Sequence, residues 1–264
     1  MNTNPSTLVE KPLLRRKEEI LQALETTGWW LAKNQNVRDQ STEDIGKDLV
    51  EICKMIGVPV SHDNQDTLVW SIKPTPHSSG KVITYSEHNH EADLHTDSQY
   101  SDYPEDYFAL LTLQKACCGG GMSYILRLED ILAELRSTPD GKQAEDLLRN
   151  TKYPFIVPQV FMKEPESDTP EIVFGPILEQ DEIRFRVDTV EKALEVNPKL
   201  CTDRQLWAFQ YLVKLVRSTN RTKKFFLEDG DLVIINNKTT LHGRSSFTDA
   251  NRHLLRVRMN KYSL

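Results

Sequence analysis

The sequence predicts a mainly β fold, a sandwich or barrel with helices packed outside it. Short strand-like runs recur from residue 67 onward, Gly and Pro punctuate the gaps between them, and helical periodicity is confined to a few stretches. With 264 residues and 38% hydrophobic composition, the chain can enclose one sizeable core, so residues 1–264 read as a single domain.

In chain order, residues 1–12 are polar and proline-punctuated and read as a mobile tail. Leu13, Leu14, Ile20, Leu21 and Leu24 recur at helical spacing and predict a helix over about 15–26. Gly28-Trp29-Trp30-Leu31-Ala32 reads as a buried strand. A second helix is expected over about 42–56, capped by Ser41 or Thr42, with Ile45, Leu49, Ile52 and Cys53 on one face. Strands are expected at 67–73, 81–85, 107–116, 122–126, 155–162, 171–174, 183–187, 231–236 and 252–260, with helices intervening at about 127–149 and 203–218. Residues 151–200 mix Pro, charge and short apolar stretches, which fits an insertion or lid over one mouth of the barrel.

The bulk numbers exclude several classes of partner. A formal net charge of -6 argues against general nucleic-acid or anionic-membrane binding, because phosphate fields favour basic partners. No apolar run reaches the roughly 18 residues that span a bilayer, and the polar N-terminus lacks a signal-peptide core. The four cysteines form no CxxC pair, and adjacent Cys117-Cys118 read as small buried residues in a reducing cytosol. The expectation is a cytoplasmic protein acting on a small molecule, with homo-oligomerisation left open.

Chemistry concentrates around two histidine segments. Leu94-His95-Thr96-Asp97 places an imidazole and a carboxylate two residues apart, on one side of the chain if it is extended. Such a triplet is weak alone. With 7 His and 39 Asp plus Glu in 264 residues, about one arises by chance, and His95 in isolation reads as an ordinary core histidine. A third ligand is available in Leu241-His242-Gly243-Arg244, where the apolar strand ending at Ile235 would deliver His242 into the barrel and Gly243 permits a turn or close backbone approach. Two imidazoles and one carboxylate form the facial triad of non-heme Fe(II) oxygenases, which leaves open metal positions. His62, His77, His88, His90 and His253 lack such a setting, although His88 and His90 lie near enough to line the site.

Arginines test that reading independently. Arg252, Arg256 and Arg258 alternate with His253, Leu255, Val257 and Met259, which puts the guanidiniums on one strand face. That face is either solvated or turned inward to grip a carboxylate through two parallel hydrogen bonds. Ser123, after Gly119-Gly120-Gly121-Met122, could donate its hydroxyl to the same carboxylate.

At these residues the chain resembles the Fe(II)/2-oxoglutarate-dependent oxygenases of the taurine dioxygenase and clavaminate synthase-like family. The resemblance rests on Leu94–Asp97, Gly120–Ser123, Gly230–Asn237, Leu241–Phe247 and Arg252–Arg256, in order, within about residues 80–260. It implies a double-stranded β-helix (jelly-roll) core with the metal at one mouth and flanking helices. It also implies His95, Asp97 and His242 as iron ligands, with Fe(II) as the metal and 2-oxoglutarate and O2 as co-substrates. Arg252 and Arg256 fall on the family's two arginine positions, so one or both should bind the distal carboxylate of 2-oxoglutarate, assisted by Ser123 where the family usually has Thr. An intact Asp97 argues against halogenation, because related halogenases have a small residue there. The Asn236-Asn237 pair departs from the usual Asp-Asn.

The implied reaction is oxidation, most simply hydroxylation, of an unactivated C–H in a small polar metabolite such as an amino acid or biosynthetic intermediate, with succinate and CO2 as co-products. His88, His90, Gln99, Tyr100 and Arg244 flank the ligands and are candidate substrate residues. The alternatives are a cupin-like metal enzyme that does not use 2-oxoglutarate, against which the arginine and serine set argues, and a non-catalytic jelly-roll binding protein, against which the intact triad argues.

Overall fold

The computed structural model describes residues 16–63, 65–74, 88–162 and 169–262. The tail at 1–12, the strand expected at 81–85 and His77 lie outside the described residues.

The architecture is mixed helix and sheet, and every strand pair among the described residues is antiparallel. One sheet runs β1 (Trp29–Ala32), β12 (Leu232–Asn236), β5 (Tyr107–Gln114), β14 (His253–Asn260) and β2 (Val58–Val60), with β3 (Trp70–Ile72) also paired to β14. The other runs β11 (Lys223–Phe225), β6 (Ser123–Arg127), β13 (Thr240–Arg244) and β4 (Ala92–His95). Two short hairpins complete the set: β7 (Tyr153–Ile156) with β8 (Ile172–Gly175), and β9 (Leu178–Glu179) with β10 (Glu182–Ile183).

Three apolar clusters hold these layers together. The first packs α1 (Lys17–Thr26) and α2 (Thr42–Ile56) on the larger sheet, through Ile20, Leu24, Ile45, Leu49 and Ile52 against Ala109, Leu111, Ile234 and Val257. Of the two caps the sequence offers, Ser41 takes the role, accepting from the Asp44 amide at the start of α2. The second covers the smaller sheet with α3 (Leu128–Leu135), α4 (Pro139–Asn150), α5 (Val187–Val196) and α6 (Asp203–Ser218). The third joins the two sheets: Phe108, Val233, Ile235 and Leu254 from one meet Ile125 from the other. Each such side chain, fully buried, contributes about 1.5–3 kcal/mol of apolar transfer.

The structure differs from the sequence reading at several points. The helix expected over 127–149 is two, because Thr138 caps a new helix with Pro139 at its first turn, and proline there cannot continue the preceding one. The strand expected at 155–162 stops at Ile156, and a 3-10 turn follows at Gln159–Phe161. Among the described residues, 151–200 hold four strands and α5, a helix the sequence reading did not expect. Cys117 and Cys118 are exposed, not buried: the Cys117 amide donates to Asp249, and the Cys118 sulfur accepts from the Thr248 amide, so polar loop contacts hold the pair at the surface. No helix among the described residues is long and apolar enough to cross a membrane.

Candidate metal centre and its cavity

His242 does not end the apolar strand. It lies in the middle of β13, the strand after β12, and pairs in register with His95, the last residue of β4. That register sets the two imidazoles side by side, with ring centroids 4.3 Å apart. Gly243 makes the approach possible: a Cβ there would stand 2.7 Å from the Ala92 carbonyl oxygen, and the ladder shifts register at this point. The close-approach reading of this glycine holds; the turn does not.

β4 ends at His95, and Asp97 sits in the turn beyond it. Thr96 faces away, its amide donating to the Phe185 carbonyl and its hydroxyl accepting from the Phe185 amide. Asn237 clamps the backbone of Asp97 from the other side. Its Oδ1 accepts from the Asp97 amide at 2.8 Å, while its Nδ2 lies 3.2 Å from the Asp97 carbonyl and 3.1 Å from that of Glu105. As a result, donor atoms of His95, Asp97 and His242 all lie within 4.8 Å of one another. Asp97 Oδ1 is 3.6 Å from His95 Nε2 and 3.8 Å from His242 Nε2.

The protonation states suit a metal. His95 Nδ1 donates to the Asp93 carbonyl at 2.7 Å, which fixes the tautomer and leaves the Nε2 lone pair for coordination. Burial, reinforced by His95, holds His242 well below the usual histidine range, so it is a neutral ring. Burial alone would raise the Asp97 carboxyl, but Arg256 and His95 outweigh it and hold Asp97 well below the carboxylate range. Two imidazoles and one carboxylate, converging with His95 and Asp97 buried and His242 nearly so, fit a divalent first-row metal.

The triad opens into a cavity of about 700 Å³. Arg252 and Arg256 both line it, but their surroundings differ. Arg256 Nη1 donates to Asp97 Oδ2 at 2.8 Å. Arg258 lies behind it, 3.8 Å from the same oxygen and 2.9 Å from Glu105 Oε1. Arg252 is only 7% exposed and forms no ion pair with a carboxylate among the described residues. Burial, then the neighbouring Arg244, push it down to about 9. Arg252 and Arg244 both lie over the Phe247 ring, at 4.9 and 4.6 Å. Ser123 pairs with Arg244 across β6 and β13 and also lines the cavity.

Of the other sequence candidates, His88, Tyr100 and Arg244 line the cavity, whereas Gln99 and His90 do not. Tyr100 stacks on Phe161 at 5.3 Å. Gln99 is fully buried and accepts at its carbonyl from Arg184. His90 serves through its backbone, since its carbonyl and that of His88 accept from Arg244 at 2.7 and 3.1 Å. The sequence reading missed Arg186 and Asp188, which line the cavity and form a two-point ion pair at 2.7 and 3.1 Å, and Lys192 beyond them. The signal was present: Arg184, Arg186 and Asp188 alternate with Ile183, Phe185 and Val187.

The model of the family described as taurine catabolism dioxygenase TauD, TfdA matches residues 7–258. A search of curated protein sequences finds no match. Among solved structures, asparagine oxygenase in complex with Fe(II), 2S,3S-3-hydroxyasparagine and succinate aligns with a TM-score of 0.75 at 17% identity, over 96% of this chain and 80% of that one. The non-heme iron oxygenase OrfP with Fe and alpha-ketoglutaric acid aligns with a TM-score of 0.67 at 17% identity, over 97% and 81% of the two chains. OrfP with Fe, succinate and (3S)-hydroxy-L-Arg gives 0.67 at 17%, over 98% and 88%.

Proposed function

The chain belongs to the TauD/TfdA family of dioxygenases, and on that premise we propose that it hydroxylates a free amino acid, using Fe(II), 2-oxoglutarate and O2 and releasing succinate and CO2. The observation that carries this reading is the His95–Asp97–His242 cluster at one end of a cavity whose wall also holds Arg252, a buried guanidinium without a carboxylate. The amino-acid class follows the products bound in asparagine oxygenase and OrfP. The finer reading of the fold is a jelly-roll, supported by two antiparallel sheets packed face to face through Phe108, Val233 and Ile125.

His95, Asp97 and His242 would hold the iron, which supplies the oxidising chemistry when bound. The chain's own residues bind, orient and exclude water. A guanidinium keeps its proton at physiological pH, so the cost of burying Arg252 is relieved by capturing an anion. The distal carboxylate of 2-oxoglutarate is that anion, with the Ser123 hydroxyl beside it. Arg256 acts elsewhere, fixing the Asp97 carboxylate through Oδ2 and leaving Oδ1, the oxygen nearer both imidazoles, to face the metal. The two arginines that the sequence offers for one role thus divide between co-substrate and ligand.

The cavity wall also includes Ile156, Pro158, Phe161 and Met162, with Arg186 and Asp188, which supports the reading of 151–200 as a cover over the site. Slower proteolysis of that segment on adding substrate is the expected sign of closure; an unchanged rate argues for a fixed wall. The function is tested by substrate-dependent succinate formation together with a product heavier by one oxygen. Neither should form in His242→Ala, and full coupled turnover in that variant would remove the ligand assignment. The alternative without 2-oxoglutarate leaves the buried charge of Arg252 unexplained.

A further inference from the structure

We infer that the co-substrate pocket continues behind Arg252, so that the enzyme accepts a 2-oxo diacid one methylene longer than 2-oxoglutarate in the same role. This rests on the 2-oxoglutarate reading above and widens the class of co-substrate for the same site.

A second cavity, of about 370 Å³, is also lined by Arg252. Leu227, Arg252 and Leu254 face both this cavity and the one that holds the triad, so these side chains form the partition between the two. The rear wall is firm. Thr112 of β5 stands in register with Leu254 of β14, and its amide and carbonyl are paired with Asp231 and Gly230.

The partition yields at Arg252. Its guanidinium forms no ion pair among the described residues and lies over the Phe247 ring at 4.9 Å, a contact that permits sliding. Gly121 lines the rear cavity beside the arginine stem with φ +78°, and a Cβ there would stand 3.3 Å from Nε and 3.6 Å from Cδ. Glycine therefore leaves the path of the side chain clear. Deeper in, Lys115 is engaged by Glu228, while the buried Thr112 hydroxyl has no hydrogen-bond partner. Such a hydroxyl is costly to leave unpaired, and it is a donor for an anion that moves toward it.

Chelation at the metal fixes one end of the co-substrate, so an added methylene carries the distal carboxylate about 1.3 Å further away. In a closed pocket that displacement meets packed side chains. Here the guanidinium retreats with the carboxylate toward the rear cavity, keeping its two-point contact, and the added methylene lies against Leu227 and Leu254. The reaction balances with no new reagent. One atom of O2 enters the carboxylate left when CO2 departs and the other enters the substrate C–H, so 2-oxoadipate gives glutarate where 2-oxoglutarate gives succinate.

The test titrates the anaerobic Fe(II)-loaded protein with 2-oxoglutarate, 2-oxoadipate and 2-oxohexanoate, reading the visible chelate band. The last acid has the longer chain without the distal carboxylate. The Kd for 2-oxoadipate should fall within tenfold of that for 2-oxoglutarate, and 2-oxohexanoate should bind more than tenfold weaker than 2-oxoadipate. Ala116 is half-buried at the rim of the rear cavity, 3.4 Å from where a Gly121 Cβ would stand, so Ala116→Leu fills that space from a loop. It should raise the Kd for 2-oxoadipate tenfold or more while that for 2-oxoglutarate stays within threefold. A 2-oxoadipate Kd more than tenfold above that of 2-oxoglutarate, 2-oxohexanoate binding within tenfold of 2-oxoadipate, or an Ala116→Leu variant that does not separate the two diacids overturns the inference. Failure of the 2-oxoglutarate reading looks different: Fe(II) binds and none of the three acids gives a band.

Discussion

Arg252→Met separates what this side chain does for folding from what it does for binding. In the ligand-free protein the guanidinium is buried, and its push down to about 9, by burial and then by the neighbouring Arg244, corresponds to roughly 4–5 kcal/mol of unfavourable charge at about 1.4 kcal/mol per pH unit. Methionine keeps much of the length and packing against Phe247 and Gly121 but removes the charge. It forfeits a cation–π contact of about 0.5–1 kcal/mol, and part of the burial cost is already relieved by relaxation. A net gain of about 1–2 kcal/mol remains, or an increase of about 2–8 °C in the Tm of the ligand-free protein. Binding moves the other way. Loss of a charge-assisted, two-point contact costs about 3 kcal/mol, so the Kd for 2-oxoglutarate should rise a hundredfold or more. Thermal unfolding with and without 2-oxoglutarate reads both quantities: the variant should melt higher when empty and gain almost nothing from the ligand. A lower Tm combined with 2-oxoglutarate affinity within threefold of the parent would refute the reasoning.

Three further outcomes follow from the geometry. Asn237→Ala removes three buried hydrogen bonds that fix the Asp97 turn, so stability should fall by about 2–4 kcal/mol and metal affinity by ten- to a hundredfold; unchanged metal affinity in isothermal titration would show that the clamp is dispensable. Gly243→Ala drives a methyl into the Ala92 carbonyl and should part β4 from β13, costing metal binding before it costs the larger sheet; a variant that binds metal normally would contradict the close approach. Acid should destabilise the fold below about pH 6.5. Burial holds His62 down to about 2 and His253 to about 4, so the unfolded chain takes up protons that the folded chain refuses. Their contribution is full above 6.5 and shrinks as pH falls, by about 2 kcal/mol each at pH 5. Urea unfolding at pH 7.5 and 5 should show that drop, smaller in His62→Gln, and equal stability at the two pH values would refute it.

Much of this organisation is legible in the sequence where local chemistry decides it. The Ser41 cap and the face of Ile45, Leu49 and Ile52 specify α2, and the alternation from Arg252 to Met259 specifies β14, with its arginines turned inward. Local chemistry does not report register. That His95 pairs with His242 depends on a ladder between strands almost 150 residues apart, and Gly243 announces only that something comes close. The contact of Arg256, and not Arg252, with Asp97 was invisible for the same reason, since it depends on where Asp97 sits after Asn237 has gripped its backbone. The Cys117–Cys118 pair misled because apolar neighbours on β5 end at Gln114, three residues before the thiols, and the loop beyond is held by polar contacts.

The most direct measurement is an anaerobic titration of metal-free protein with Fe(II) and then 2-oxoglutarate, watching for the weak visible charge-transfer band of the chelate. The account predicts a band in the parent protein, none in His95→Ala, and in Arg252→Met a band that forms only at far higher 2-oxoglutarate. Fe(II) binding without any band on adding 2-oxoglutarate would contradict it, and would leave the buried guanidinium of Arg252 waiting for a different anion.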